Sequence, residues 1–180
     1  MKDLYAYAFE GFLQLPEEER DTYKTFGLLA GPESYGITDA LEWNWGDVKE
    51  IQDLINKESI SFDDMIEACC KASKKTREQI LKEKWYQVFK FYNFVLKEIE
   101  HINELEKQLS YEPDAKEINA GIENFAQFGW FTTLYRLSEG DPLRYKRILK
   151  MSYADIFATL KLQLVDMQFQ KNLIRQSSHV

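Results

Sequence analysis

The sequence predicts an all-α fold, and three observations carry that expectation. Apolar residues recur at three- and four-residue spacing over long stretches. Side chains that cap helix N-termini stand three residues ahead of an acid or amide at several places. Glycine and proline punctuate the pattern between helices, most clearly at Gly140-Asp141-Pro142. The expected architecture is an elongated bundle of about five to six helices around one long central helix, about 77–109. Residues 1–46 are expected to form an irregular N-terminal segment packed on a helical domain of residues 47–180.

Residues 1–46 are the least periodic part, interrupted by Pro16, the acidic run Glu17 to Glu19, and glycines at 27, 31 and 36. Leu4, Tyr5, Tyr7, Ala8, Phe9, Phe12 and Leu13 fit either a short helix or a strand. Leu41, Trp43 and Trp45 alternate like a strand but run into Val48, Ile51, Leu54 and Ile55 at helical spacing, which predicts a helix over about 47–57 with Asp47 as its N-cap. Ser61 with Asp64 predicts a second helix at 62–73, and Thr76 with Gln79 opens the long one. That helix carries Leu81, Trp85, Val88, Tyr92, Val95, Ile99, Ile102 and Leu109 in a heptad seam whose one gap is Glu106. Thirty-three residues would span about 50 Å at 1.5 Å per residue, more than the roughly 40 Å diameter of a compact chain of this size, hence the expected elongation.

Asp114 and Glu117 predict a helix over about 115–138 in which Gly121 and Gly129 are interior, a cost of about 0.5–1 kcal/mol each unless close packing compensates. A short helix after Asp141-Pro142 reaches about Lys150. Ser152 and Asp155 then cap a last helix with Tyr153, Phe157, Leu160, Leu164, Met167 and Ile174 at four-three spacing and Lys171 in the gap, before a frayed tail from Gln176.

Composition bounds the function. The 180 residues suffice for one sizeable core with an appended segment. A net charge of −7 argues against nucleic acid as the main partner, and the basic cluster Lys71, Lys74, Lys75 and Arg77 reads as a solvated helix end. No run of 18 apolar residues exists and no signal-peptide pattern opens the chain, so no membrane role and a cytoplasmic location are expected. Cys69 and Cys70, adjacent on a helix, cannot staple the fold and are expected to be buried free thiols.

The chemistry-bearing constellations are thin. Glu98-x-x-His101 has the spacing of half a di-iron site in a helical bundle, but the only other histidine is His179, too little for that template. Two adjacent cysteines and one usable histidine do not make a zinc site, and nothing around them reads as the turn of a catalytic nucleophile. The glycines at 27, 31 and 36 match no phosphate-binding pattern. The expectation is no enzyme, no metal and no cofactor. The surplus of aromatics points instead to protein partners, with Trp43, Trp45, Trp85, Phe89, Phe128 and Trp130 as candidate partner-binding residues.

Four stretches carry a family resemblance: Ile37 to Gln52 (ITDALEWNWGDVKEIQ), Trp85 to Phe94 (WYQVFKFYNF), Ala120 to Phe131 (AGIENFAQFGWF) and Gly140 to Phe157 (GDPLRYKRILKMSYADIF). In order and character they resemble blocks of the tail assembly chaperones of tailed bacteriophages and prophages, and together they cover roughly a third of the chain. The resemblance implies a helical phage protein of the host cytoplasm that binds the tape-measure protein and tail-tube subunits and is absent from the finished particle. It also implies an exposed apolar groove beside the 77–109 helix. The alternative expectation is a virion structural or head-to-tail connector protein that self-associates into a ring.

Overall fold

The structure, a computed structural model, describes residues 8–29 and 31–177. It is about 75% helical and has no strand among the described residues, only two isolated bridges, Ala8 with Lys84 and Asn44 with Ser152. The chain divides into two compact units. The first holds residues up to Trp43 and Asp47–Ile102; the second holds Asn44–Gly46 and the residues from Asn103 on.

The first unit contains α1 (Phe9–Leu13), α2 (Glu17–Leu29), most of α3 (Trp45–Ile55), α4 (Phe62–Ser73), α5 (Arg77–Lys82) and most of α6 (Trp85–Glu106). Residues 1–46, expected to be irregular, thus hold two α-helices and a 3-10 turn, Ala40–Glu42. Leu4, Tyr5 and Tyr7 lie outside the described residues, while Phe9, Phe12 and Leu13 fall in α1. Phe9, Phe12, Trp85 and Phe89 are buried together with half-buried Phe62, their ring centroids 5.4 to 6.4 Å apart in stacked and edge-on pairs. Such pairs contribute about 0.5–1.5 kcal/mol each beyond their area burial.

Helix starts follow local chemistry. Ser61 and Thr76 close reciprocal capping boxes with Asp64 and Gln79, satisfying N–H groups that the first turns leave open. Helix α3 differs: it begins at Trp45, whose N–H donates to the Met151 carbonyl at 2.8 Å, so Asp47 sits inside the first turn rather than capping it. The Asp47 carboxylate pairs with Lys74 instead.

The single helix expected over 77–109 is broken. Glu83 is extended (φ −68°, ψ 158°), and its carbonyl accepts the Phe9 N–H at 2.7 Å beside the Ala8–Lys84 bridge. The N–H at the start of α1, far away in sequence, has taken a carbonyl that would have continued the helix. The remaining 22-residue α6 spans about 33 Å, which removes the length from which elongation was inferred. Its seam is otherwise as expected, with Trp85, Val88, Tyr92, Val95, Ile99 and Ile102 all buried.

The second unit contains a 3-10 turn at Lys107–Leu109, α7 (Ala115–Asn119), a seven-residue 3-10 segment Ile122–Phe128, α8 (Phe131–Leu137), a second 3-10 turn at Pro142–Arg144, α9 (Tyr145–Leu149) and α10 (Tyr153–Ser177). The continuous helix expected over 115–138 is therefore three pieces. Gly121 (φ 82°) and Gly129 (φ 51°) take positive φ, so they end helical runs rather than packing inside one. Asp114 and Glu117 do form the expected capping box, and Asp141 caps the turn that Pro142 begins. Trp45, Leu134, Ile148, Tyr153 and Ile156 form the buried centre of this unit.

Candidate functional site

The six aromatics singled out from the sequence part company. Trp43, Trp45, Trp85 and Phe89 are 6% exposed or less; a partner cannot reach them, and their rings are used inside. Trp43 donates its indole N–H to the Thr38 carbonyl at 2.9 Å and meets Phe94 edge-on. Trp45 crosses Trp130 at 5.7 Å and 88°. These four are core because each ring meets a ring from another element of its own unit, a fact that aromatic surplus alone could not reveal.

Phe128 behaves differently, with 55% of its surface exposed. It is joined by Phe125, Phe131 and Tyr135, each between 43% and 51% exposed. With Thr132 they line an open cleft of about 210 Å³ whose walls expose no polar surface. Local backbone explains why four aromatics stand outward together. Gly129, at a positive φ of 51°, turns the chain from the 3-10 segment into α8, and the Thr132 hydroxyl donates to the Phe125 carbonyl at 3.1 Å across that turn. Half-buried Trp130 faces inward onto Trp45 and so anchors the corner from which its neighbours project. The Arg136 guanidinium lies 5.5 Å from the Phe125 ring centre, a cation–π contact at the edge. Phe125, Phe131 and Tyr135 were not singled out as partner-binding from the sequence, although Phe125 and Phe128 have the three-residue spacing that puts side chains on one side of a 3-10 segment.

Two clefts flank α6 in the first unit. One, about 430 Å³, has apolar Ile60, Phe62, Met65, Phe89 and Leu96 in its walls with Lys24, Lys57 and Glu58 at its polar side. The Tyr92 hydroxyl in its lining is buried without a hydrogen-bond partner, and that burial pushes its pKa up to about 12. The other is small, about 120 Å³, between Tyr35, Ile37, Ile80, Val88 and Phe91.

The weaker chemical candidates are accounted for. The Glu98 carboxylate accepts the Ala40 N–H at 2.9 Å, and His101 is exposed. No group of three or more His, Cys, Asp or Glu among the described residues could hold a metal ion. Cys69 is fully buried, which pushes its thiol pKa far up and leaves it unreactive; Cys70 is half-buried and raised less, since Arg77 and Lys71 oppose the effect of burial. The basic cluster is spoken for as well, Lys71 pairing with Glu50, Lys74 with Asp47, Lys75 with Glu83 and Arg77 with Asp63. Among the described residues no helix is long and apolar enough to cross a membrane.

The class these observations define is an all-helical chain with an exposed aromatic cleft. No protein-family model matches the chain, and neither curated proteins nor solved structures provide a match.

Proposed function

We propose that the chain is a non-enzymatic binding factor that holds an apolar segment of another protein in the cleft of Phe125, Phe128, Phe131 and Tyr135. The observation that carries this reading is the grouping of four outward aromatics with no polar wall. Exposed apolar surface of this kind costs solubility unless a partner covers it, and amphipathic helices are recognised by apolar grooves through side chains at i, i+3, i+4 and i+7. Joined to the resemblance to tail assembly chaperones, which includes Ala120 to Phe131, the favoured client is a long helical protein of the tape-measure type, with tail-tube subunits as further partners. In that setting the chain works in the host cytoplasm and leaves before the particle is complete.

The test is co-expression with a long helical protein of the tape-measure type, followed by affinity purification and sizing. A soluble complex is expected, with the client insoluble alone. The double substitution Phe128→Ser and Phe131→Ser should abolish the complex while leaving the helical circular dichroism unchanged, because neither side chain is buried. A complex that survives both substitutions overturns the assignment of the cleft; absence of any complex overturns the chaperone reading.

A further inference from the structure

Helix α10 is apolar on two faces. Tyr153, Ile156, Phe157, Leu160, Leu164 and Met167 are buried or half-buried in their own unit. On the other side Leu162, Val165, Phe169 and Leu173 are 70%, 56%, 57% and 45% exposed. Their spacing of three, four and four residues makes a stripe that another helix fits and that water does not favour. Lys171 bonds Glu117 at 2.9 Å, so α10 is pinned by its inner side and the stripe stays outward, while exposed Lys161, 3.2 Å from Gln108, stands on the flank between the two faces.

Charge identifies the occupant. The whole net charge of −7 resides in the first unit, with 13 basic against 20 acidic residues, whereas the second unit has ten of each. The second unit itself therefore adds no net repulsion between two copies. If Leu162, Val165 and Phe169 take seam positions a, d and a, the flanking g and e positions are Lys161, Asp166 and Gln168. In a parallel pair, position g of one helix meets the following e of the other, five residues on. That register sets Lys161 of each copy against Asp166 of its partner, twice over. An antiparallel pair does not bring these positions together.

We propose that a second copy of this chain pairs with the first through α10, in parallel, along Leu162, Val165 and Phe169, with reciprocal Lys161–Asp166 ion pairs setting orientation. The pair is two-fold and closed. The seam is short, about 11 Å from residue 162 to residue 169 at 1.5 Å per residue, so it covers less than the roughly 800 Å² per partner of a standard interface. Dissociation in the micromolar range is expected. The inference does not depend on the aromatic cleft or on the identity of any client.

Sedimentation velocity of the full chain across the micromolar range tests it. The wild type should pass from monomer to dimer, and Phe169→Glu should remain monomeric with unchanged thermal unfolding. Lys161→Glu and Asp166→Lys should each weaken self-association by on the order of fivefold, because two like-charge pairs replace two ion pairs. Mixing these two variants should restore dimers, since the mixed pair regains opposite charges at both positions. A chain that stays monomeric throughout overturns the proposal, as does a dimer indifferent to Phe169→Glu. Failure of the mixture to recover overturns the parallel register.

Discussion

Gly27 in α2 is a place where two well-known effects oppose one another and the structure decides between them. In an exposed helix interior, glycine to alanine gains about 0.8–1 kcal/mol from helix propensity. At Gly27, however, an added Cβ would stand 2.5 Å from Cγ of Phe89 and 2.8 and 2.9 Å from its Cδ atoms. The collision is with the root of the ring, so rotation about χ2 cannot clear it, and Phe89 is fully buried against Phe9, Phe12, Phe62 and Trp85. Asn93 also donates to the Gly27 carbonyl at 3.2 Å, tying this turn of α2 to α6. Overpacking a core commonly costs about 1–3 kcal/mol, and a clash this deep belongs at the upper end. Gly27→Ala should therefore destabilise by about 2 kcal/mol net of the propensity gain, or roughly 4–8 °C in Tm at about 2–4 °C per kcal/mol. Urea unfolding followed by tryptophan fluorescence and circular dichroism would measure it. Gly31→Ala is the control, because nothing lies within 4 Å of its added Cβ; it should change stability by less than about 0.5 kcal/mol. A Gly27→Ala protein as stable as the wild type would refute the close packing of α2 on Phe89.

Other consequences are as direct. The Asp64 carboxyl is lowered to about 2 by hydrogen bonds from Lys57 and Ser61. A folded-state pKa below the unfolded value gives a contribution present above about pH 4 and lost as pH falls towards 2; Asp64→Asn should flatten that part of an acid-unfolding curve. A thiol reagent should label Cys70 in the native protein and Cys69 only on unfolding, measured by mass spectrometry after timed quench; equal labelling would contradict the burial of Cys69. Gly121→Ala should cost about 1–2 kcal/mol in thermal unfolding, from a left-handed φ of 82°, and from Asn124 Nδ2 at 2.7 Å from the added Cβ.

Legibility in the sequence followed the range of the causes. The capping boxes at Ser61, Thr76 and Asp114 were readable because both partners lie within four residues. The all-helical class was readable from periodicity. The break at Glu83–Lys84 was not, because residues 8 and 9 cause it from some 75 positions away. The breaks at Gly121 and Gly129 carried a local signal, but interior glycine and helix-ending glycine look alike until φ is known. Of the candidate site, Phe128 could be named from the sequence, whereas the burial of Trp43, Trp45, Trp85 and Phe89 depends on which tertiary neighbours each ring meets.

The two gaps in the heptad patterns have a common physical meaning, and it can be tested. Glu106 interrupts the seam of α6 and Lys171 that of α10; both would be apolar if burial alone governed those positions. Glu106 accepts the Tyr153 hydroxyl at 2.8 Å, and the Tyr153 pKa is driven well above its usual value, first by burial and then by that carboxylate. Lys171 bonds Glu117 at 2.9 Å and lies 4.6 Å from the centre of the Tyr111 ring. Each polar interruption therefore pins α10 to a different part of the second unit, fixing a register that an apolar seam alone leaves free to slide by a turn. Replacing Glu106 by leucine completes the apolar pattern yet leaves the hydroxyl of Tyr153, a residue only 2% exposed, without this acceptor. An unsatisfied buried hydroxyl costs about 1–3 kcal/mol, and a leucine side chain at this half-buried position regains less than the about 1.5–3 kcal/mol of full burial. Glu106→Leu should be net destabilising by about 1 kcal/mol, whereas Glu106→Gln, which keeps an acceptor, should stay within about 0.5 kcal/mol of wild type. Spectrophotometric titration distinguishes the pin from simple packing: in Glu106→Gln the Tyr153 phenol should ionise at lower pH than in the wild type, because the carboxylate's contribution is gone while burial remains. Glu106→Leu more stable than the wild type would mean that the seam, not the pin, sets the position of α10.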